Sequence, residues 1–587
     1  MSTHPSFFLS ATLLALSLGI AGCSMKGDDG DKGDTGTTGV TGAADAGVEL
    51  RFLGRFQHKD AGSVVGFDVG AAEITAYDAL SMRLVVINAK IGAIDVLNYA
   101  DPTAPALIQS VDVGALVEAA RSLPNTDLGG VNSVAIRGGI AAVAVEATVK
   151  TDPGYVAFVN VATLALVGSV KVGALPDMVT FSPDGKYVVT ADEGEPSNGY
   201  VANPPGTISV INVTGGYASA TVATAGFTAW DVGGAKNAEV AGLRTAGLRF
   251  DTITGAAATF SQDMEPEYVA VAPDSATAYV TLQENNSIAV VDLATATVSK
   301  IMPLGFKDHG IPGNELDVSD RDVDGTSGGG GLINIRTWPG VVGAFMPDGI
   351  SCYKVGNTTY LVTANEGDGR DYASGGFGAT FADEITVFAK FGAATTAGPL
   401  TGRLAGLEGN DKLGRLTILN DLSTPSRIVA YGARSFTIWD AATGARIWDS
   451  GSEIERQVAN RFPANFNVSS TSNTLDNRSD NKGPEPEGLA IGTIGTTTYA
   501  FIGLERIGGV MVYDITNPQA PSFVSFTNER KFSETPAAGK GGDLAPEGIH
   551  FIPAGSSPTG KALLVVGNET SGTSTVYQVA DLVGGNG

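Results

Sequence analysis

From about Leu50 to Val579 short apolar runs alternate with clusters of Gly, Asp, Asn and Pro, the pattern of β-strands joined by tight turns. One unit recurs: an opening motif, an apolar strand, a second strand ending in an acidic residue, a tight turn and a third strand. Its clearest copies are LPDMVTFSPDGKYVVTADEGE from Leu175 and EPEYVAVAPDSATAYVTLQENNSIAVVDL from Glu265. Others start at Met346 (MPDGISCY), Glu485 (EPEGLAIG) and Ala545 (APEGIHFIP), with weaker ones at Ala72 (AEITAYD) and Val131 (VNSVAI). The stretch RIVAYGARSFTIWDAATGARIWDSG from Arg427 offers strands without the acidic opening, and reads as a doubtful eighth unit.

Such units suit the blades of a propeller, whose radial closure leaves few exposed edges. The expectation is an all-β fold, a single closed β-propeller of seven or eight blades with long loop insertions near 214–262, 306–345, 390–425 and 451–484. The last unit, ending in STVYQV, lacks a fourth strand, and LRFLGRF from Leu50 is unpaired at the start, so the two ends are expected to share a blade. Uneven spacing leaves a β-sandwich or two smaller propellers as alternatives.

Composition agrees with a large folded core: 587 residues with 78 Gly and 43% hydrophobic content are too apolar for disorder. The formal charge of −25 excludes nucleic acid as a partner and makes cations natural ones. Residues 1–23 read as a lipoprotein signal. The apolar run Phe7 to Ile20 is too short to span a bilayer comfortably, and Ile20-Ala21-Gly22-Cys23 resembles a lipobox in which the Cys23 thiol is lipidated. The leader departs from the pattern in having no Lys or Arg before the apolar run, only His4. Ser24 lacks the aspartate of inner-membrane retention, which points to an outer-membrane or cell-surface address. Residues 24–48 form a collagen-like spacer with Gly at 27, 30, 33, 36, 39 and 42, without proline and too short for a stable triple helix. The domain itself is placed at 49–582. Processing leaves Cys352 as the one side-chain thiol, so no intrachain disulfide forms.

In a blade the start of the first strand and the end of the second share one face. The opening motifs place Glu73, Asp177, Glu267, Asp348, Glu487 and Glu547 there, and second-strand ends add Glu146, Glu193, Glu284, Glu366, Glu505 and Glu569. Carboxylates so crowded must be protonated, paired with Arg or Lys, or bound to cations, and oxygen-only ligands favour Ca2+, with Mg2+ possible. Local turn capping is the plainer alternative. A second acidic cluster holds Asp317, Asp320, Asp322 and Asp324 before Gly325; its D-x-D-x-D-G portion from Asp320 matches the first half of a calcium loop but has Gly331 where a bidentate Glu is required, and a solvated acidic loop is the alternative. No H-E-x-x-H or G-x-S-x-G motif is present.

The motifs YLVTANEGDGRDY, RSDNKGPEPEG, YAFIGLERIGGVMVYDITNP and LLVVGNETSGT, with the two long copies above, resemble the choice-of-anchor I family, itself similar to mesenchyme-specific cell-surface glycoproteins. The likeness covers nearly all of residues 50–580. It implies a surface propeller, and an alkaline-phosphatase label on some bacterial relatives suggests phosphomonoester hydrolysis. In that reading metal held by the ring binds a phosphoryl oxygen and activates water, and Arg370, Arg478 or Arg506 neutralises developing charge. The alternative is a non-catalytic adhesion or mineral-binding module. Replacing Cys23 with Ala is expected to release the protein from the membrane fraction without unfolding it, as fractionation and circular dichroism would show.

Overall fold

The computed structural model describes residues 47–582, apart from 61–64, 125, 251–252, 254–257, 324, 326–330, 373–380 and 393–394. Cys23 and the spacer therefore lie outside the described residues. Seven sheets of four antiparallel strands carry the chain. Their first strands are Thr75–Asp78, Leu128–Arg137, Pro176–Phe181, Pro266–Val271, Ile350–Val355, Pro486–Ile494 and Pro546–Ile552. The second strands are β-branched and buried on both faces, as Tyr187–Asp192 and Thr277–Leu282 illustrate, because each sheet is packed between two others.

The inter-sheet cores run in a cycle. Val85 and Ile94 of the first sheet meet Val134 and Val143 of the second, and Val156 and Phe158 pass the contact to Val179 and Val188 of the third. The series continues through Val210 with Val280, Tyr279 with Leu361, Ile438 with Ile502, and Phe501 with Leu564. Val565 of the last sheet then packs with Leu84 of the first. The expected pairing of the two ends is present: Val48–Gln57 lies antiparallel to Thr573–Asp581, Leu50 opposite Val579 and Phe56 opposite Ser574.

Buried aspartates tie third-strand hydroxyls to their neighbours. Asp192 accepts from Thr190, Thr207 and Ser209, and Asp543 from Thr573, Thr575 and Arg55. At the junction of last and first sheets His58 bridges Asp95 (Nδ1, 2.6 Å) and Ser574 (Nε2, 3.0 Å). These are the atoms of a hydrolytic triad, but all three residues are buried and none lines the acidic cavity described below, so the arrangement is a lock between sheets.

The doubtful eighth unit is corrected by the structure. Its strands Ser435–Asp440 and Arg446–Asp449 complete the sheet begun by Ile350–Val355 and Thr358–Asn365, so residues 366–434 are an insertion within one sheet. An eighth sheet exists, built from insertions: Phe306–Asp308, Val341–Ala344, Ile428–Ala430, Thr417–Leu419 and Glu384–Thr386, with its own core around Trp338, Phe391 and Leu413. Among the described residues no helix is long and apolar enough to cross a membrane.

Leu50 faces the core and Arg51 on the same strand faces out. Leu50→Ala should cost about 2–4 kcal/mol in urea unfolding and Arg51→Ala less than about 0.5, provided the terminal strand is an integral part of the last sheet.

Candidate metal centre at the acidic mouth

The backbone explains why the opening acids point inward. The ladder between first and second strands is interrupted after Pro176, Pro266, Pro486 and Pro546, and Asp177, Glu267, Glu487 and Glu547 fall in those interruptions. A bulge frees a side chain from the strand's alternation and re-aims it. Just before the proline, Leu175, Met346, Glu485 and Ala545 adopt left-handed backbone with φ of 49, 43, 50 and 58°. Strain of this kind costs about 1–3 kcal/mol per residue and concentrates at functional sites. The carbonyls so turned accept from the second-strand ends: Glu193 N–H bonds Leu175 (2.9 Å), Glu505 bonds Glu485 (2.9 Å) and Glu569 bonds Ala545 (2.7 Å). One local device thus places both acids of a sheet.

A cavity of about 500 Å³ results. Ten of the twelve ring acids expected from sequence line it: Glu73, Glu146, Asp177, Glu193, Glu267, Asp348, Glu366, Glu487, Glu505 and Glu547. Glu284 lies in an adjoining cavity of about 410 Å³ that shares Glu193 and Glu267, and Glu569 lies close enough to raise the pKa of Glu73. Asn132 fills the opening position of the second sheet, where no acid was available.

Burial first, and neighbouring carboxylates second, raise the pKa values of Glu73, Glu193, Glu267, Asp348, Glu487 and Glu547 well above the usual range. Asp177 is pushed up to about 7 by burial, Glu195 and Glu146. Ligand oxygens of Asp348, Glu366 and Glu487 lie within 4.8 Å of one another. At that separation two full charges repel by about 3–4 kcal/mol with an effective dielectric of about 20. One oxygen on each of Glu267, Glu284, Glu487, Glu505 and Glu547 is shielded from solvent and has no donor.

Positive charge is present but committed. Arg478 (2.5 Å), Arg506 (2.8 Å) and Lys482 (3.4 Å) converge on Glu485. Burial opposes ionisation of Glu485, and these three cations override it, holding the carboxyl below the usual range. Lys482 also binds Glu366 (3.0 Å) and Asp368 (2.8 Å), and Arg506 binds Glu505 (2.6 Å). Arg370 is buried away from the cavity, with Glu265 at 3.1 Å and Asp263 at 3.6 Å. Of the three arginines expected at the site, only Arg506 lines the cavity.

The second acidic cluster folds differently from a calcium loop. Asp320 turns to Arg415 (2.8 and 3.1 Å), while Asp322 joins Asp317 and Asp476. Asp324 lies outside the described residues. Sequence reading missed Glu265, Glu485, Asp368 and Gln283. The doubled acids of MEPE and GPEPEG were the available signal, since the other motifs carry an apolar residue at the first position.

Radial sheets around an acidic mouth define a β-propeller-type protein. The chain belongs to the choice-of-anchor I family, whose domain model matches residues 73–518. Over 170 residues it is 34% identical to Gigasin-3a of Magallana gigas, covering 27% of this chain and 60% of that protein. Over 288 residues it is 28% identical to the Mesenchyme-specific cell surface glycoprotein of Strongylocentrotus purpuratus, covering 44% of this chain and 35% of that protein. The matched stretches thus span less than two thirds of either relative. Among solved structures, Kuenenia stuttgartiensis Hydrazine Synthase aligns with a TM-score of 0.43 at 13% identity over 89% of this chain and 99% of that one. The Cps50 (Swd1) beta-propeller domain of Myceliophteria thermophila aligns with a TM-score of 0.41 at 7% identity, over 91% and 100%.

A carboxyl whose folded pKa is raised stabilises the fold below its unfolded value, and that stability is lost as pH rises through the folded pKa. In chelator the melting temperature should therefore fall between about pH 4, the unfolded Asp value, and about 7, where Asp177 titrates, and continue downward as the other raised carboxyls ionise. Saturating Ca2+ should flatten this slope. Equal slopes with and without metal would show that protons alone compensate the ring.

Proposed function

We propose that this chain is a cell-surface lipoprotein, a single closed propeller of seven blades held to the envelope through Cys23, whose mouth binds divalent cations, Ca2+ ahead of Mg2+. The observation that carries the reading is the set of five shielded carboxylate oxygens without donors, in a ring where, among the described residues, ion pairs reach only Glu366 and Glu505. A proton satisfies one such oxygen, but a cation satisfies several at once. The cyclic series of inter-sheet cores supports closure. The name of the sea-urchin relative supports a surface address. Carboxylates from several sheets, with room for water, suit the six to eight oxygen ligands of Ca2+ better than the strict octahedron of Mg2+.

Phosphomonoester hydrolysis is the second reading. It is favoured by Glu366, which belongs both to the Asp348–Glu366–Glu487 group and to the Glu366–Glu485–Glu505 group, and by Arg506 on the cavity wall. Cations on either side of a shared carboxylate are suited to holding a phosphoryl oxygen and a water together. Against it, Glu485 is already neutralised by three basic side chains, and the hydroxyl of Ser133, which lines the cavity, accepts from Val179 N–H at 3.2 Å. Binding without turnover is therefore the conclusion.

Protein beginning at Ser24 should gain melting temperature with free Ca2+, reversibly by chelator. Glu487→Gln removes a ligand and a repulsion together, so it should shrink the Ca2+ gain by at least half while leaving the chelated form as stable or slightly more so, by roughly 0–1 kcal/mol. A metal-independent loss of stability would refute the metal ring. Metal-dependent turnover of a chromogenic phosphate ester, lost in Glu487→Gln, would establish the hydrolase in place of the binding module.

A further inference from the structure

Asp317 and Asp322 belong to the insertion preceding Val341–Ala344, and Asp476 to the segment that precedes Pro486–Ile494. The fold brings one ligand oxygen of each within 4.8 Å of the others. Asp317 and Asp476 are fully buried. Asp317 is oriented from behind, its Oδ2 accepting from Asn334 N–H at 2.6 Å. Oδ1 of Asp476 accepts from the Ser479 hydroxyl, whereas its Oδ2 is shielded from solvent and has no donor. Both Asp322 oxygens are likewise withdrawn from solvent.

Among the described residues the one basic side chain that favours ionisation of the cluster electrostatically is Arg336, beside Asp322, and it forms no ion pair with it. Arg434 spends its donors on Glu455 (2.6 Å) and on the carbonyls of Asp317, Ser479 and Asn481. Arg415 is committed to Asp320 and Asp480. Among the described residues no ion pair reaches Asp317, Asp322 or Asp476. The backbone at Gly331 closes over the unpartnered oxygen, since a Cβ there would lie 1.8 Å from Asp476 Oδ2. Glycine at 331, in place of the bidentate Glu a calcium loop requires, is thus explained: the third carboxylate comes from a distant segment and needs the room.

We propose that Asp317, Asp322 and Asp476 bind a second divalent cation, of the Ca2+ class, which staples the insertion around residues 317–334 to the segment 476–485. Three carboxylates with oxygens at this spacing match a hard cation with ligands at about 2.3–2.6 Å, completed by water or carbonyl oxygen. Burial and the adjacent Asp317 push Asp476 up to about 9, the direction expected of carboxylates crowded together. The staple is separate from the mouth and does not depend on the mouth binding metal. The two are nonetheless neighbours in sequence, because the stapled segment delivers Arg478, Lys482 and Glu485 to the mouth.

The test is Ca2+ binding to the chelator-treated chain from Ser24 by titration calorimetry, comparing wild type, Asp476→Asn, Asp322→Asn and Glu487→Gln. Asp476→Asn and Asp322→Asn should each lose one binding event, or weaken it at least about tenfold as ligand changes do. Glu487→Gln should keep that event. Unchanged stoichiometry and affinity in both Asp variants overturns the staple, and loss of all Ca2+ in Glu487→Gln assigns every cation to the mouth and overturns it as well. Loss of the mouth's events alone in Glu487→Gln leaves the staple standing, so the two readings fail separately. Should the Asp variants misfold, terbium luminescence decides. The Trp338 indole donates to the carbonyl of Leu316, next to Asp317, so Trp338→Phe should dim sensitised terbium emission at unchanged stoichiometry. Equal emission overturns the proposal.

Discussion

Charge compensation in a confined space is the constraint on which this structure turns. Eleven carboxylates line the cavity with Arg506 as the one basic residue among them. Mutual repulsion and lost hydration both oppose ionisation there, so the fold must supply protons, basic side chains or bound cations. On one side it supplies side chains: Arg478, Arg506 and Lys482 around Glu485. On the side of Glu73, Asp177, Glu267 and Glu547 it supplies none within ion-pair distance among the described residues. The asymmetry divides the mouth into a neutralised sector and an electron-rich sector, and the second is where cations gain most.

Two of the three compensating groups come from an irregular segment: Arg478 and Lys482 precede the sixth sheet, while Arg506 lies in the turn after that sheet's second strand, next to the ring acid Glu505. The repeated sheets contribute a ring of near-equivalent acids, and the irregular segments break its symmetry. That division of labour fits the general placement of specificity on loops held by a rigid scaffold. It also explains the left-handed backbone before four prolines: a strained turn repeated around the ring persists because each instance aims one carboxylate at the same space.

Much of this was legible in the sequence because it rests on local pattern. The x-Pro-acid openings, second strands ending in acid and the unpaired strand at Leu50 each recur or stand out within a few residues, and they located the ring acids and the terminal pairing. What escaped depends on contacts distant in sequence. Arg427 to Gly451 looked like a blade of its own because its strands are good ones. Only the pairing of Ser435–Asp440 with Thr358–Asn365, across a 69-residue insertion (366–434), assigns them to the fifth sheet. The partners of Asp322 were sought along the loop, at Asp317, Asp320 and Asp324; the fold keeps Asp317, turns Asp320 away to Arg415, and supplies Asp476 from more than a hundred residues away. Arg370 looked available for chemistry because its motif, NEGDGRDY, gives no sign of Asp263 and Glu265, which enclose it.

The pairing of Val48–Gln57 with Thr573–Asp581 also sets the order in which the molecule is made. The first strand to emerge must wait for the last, and joining ends so far apart costs about 5–6 kcal/mol in loop-closure entropy if nothing intervenes. Sheets that form from adjacent strands in the meantime shorten the effective loop, so the sensible sequence is local hairpins first and the terminal pairing last. During that interval Val48–Gln57 is a lone strand open to pairing with other chains. Its exposed Glu49 and Arg51 place charge along it, the composition by which natural edge strands resist such pairing. The residues that look least important in the finished sheet, exposed and only weakly paired, are therefore the ones that keep the newborn chain single until its end arrives.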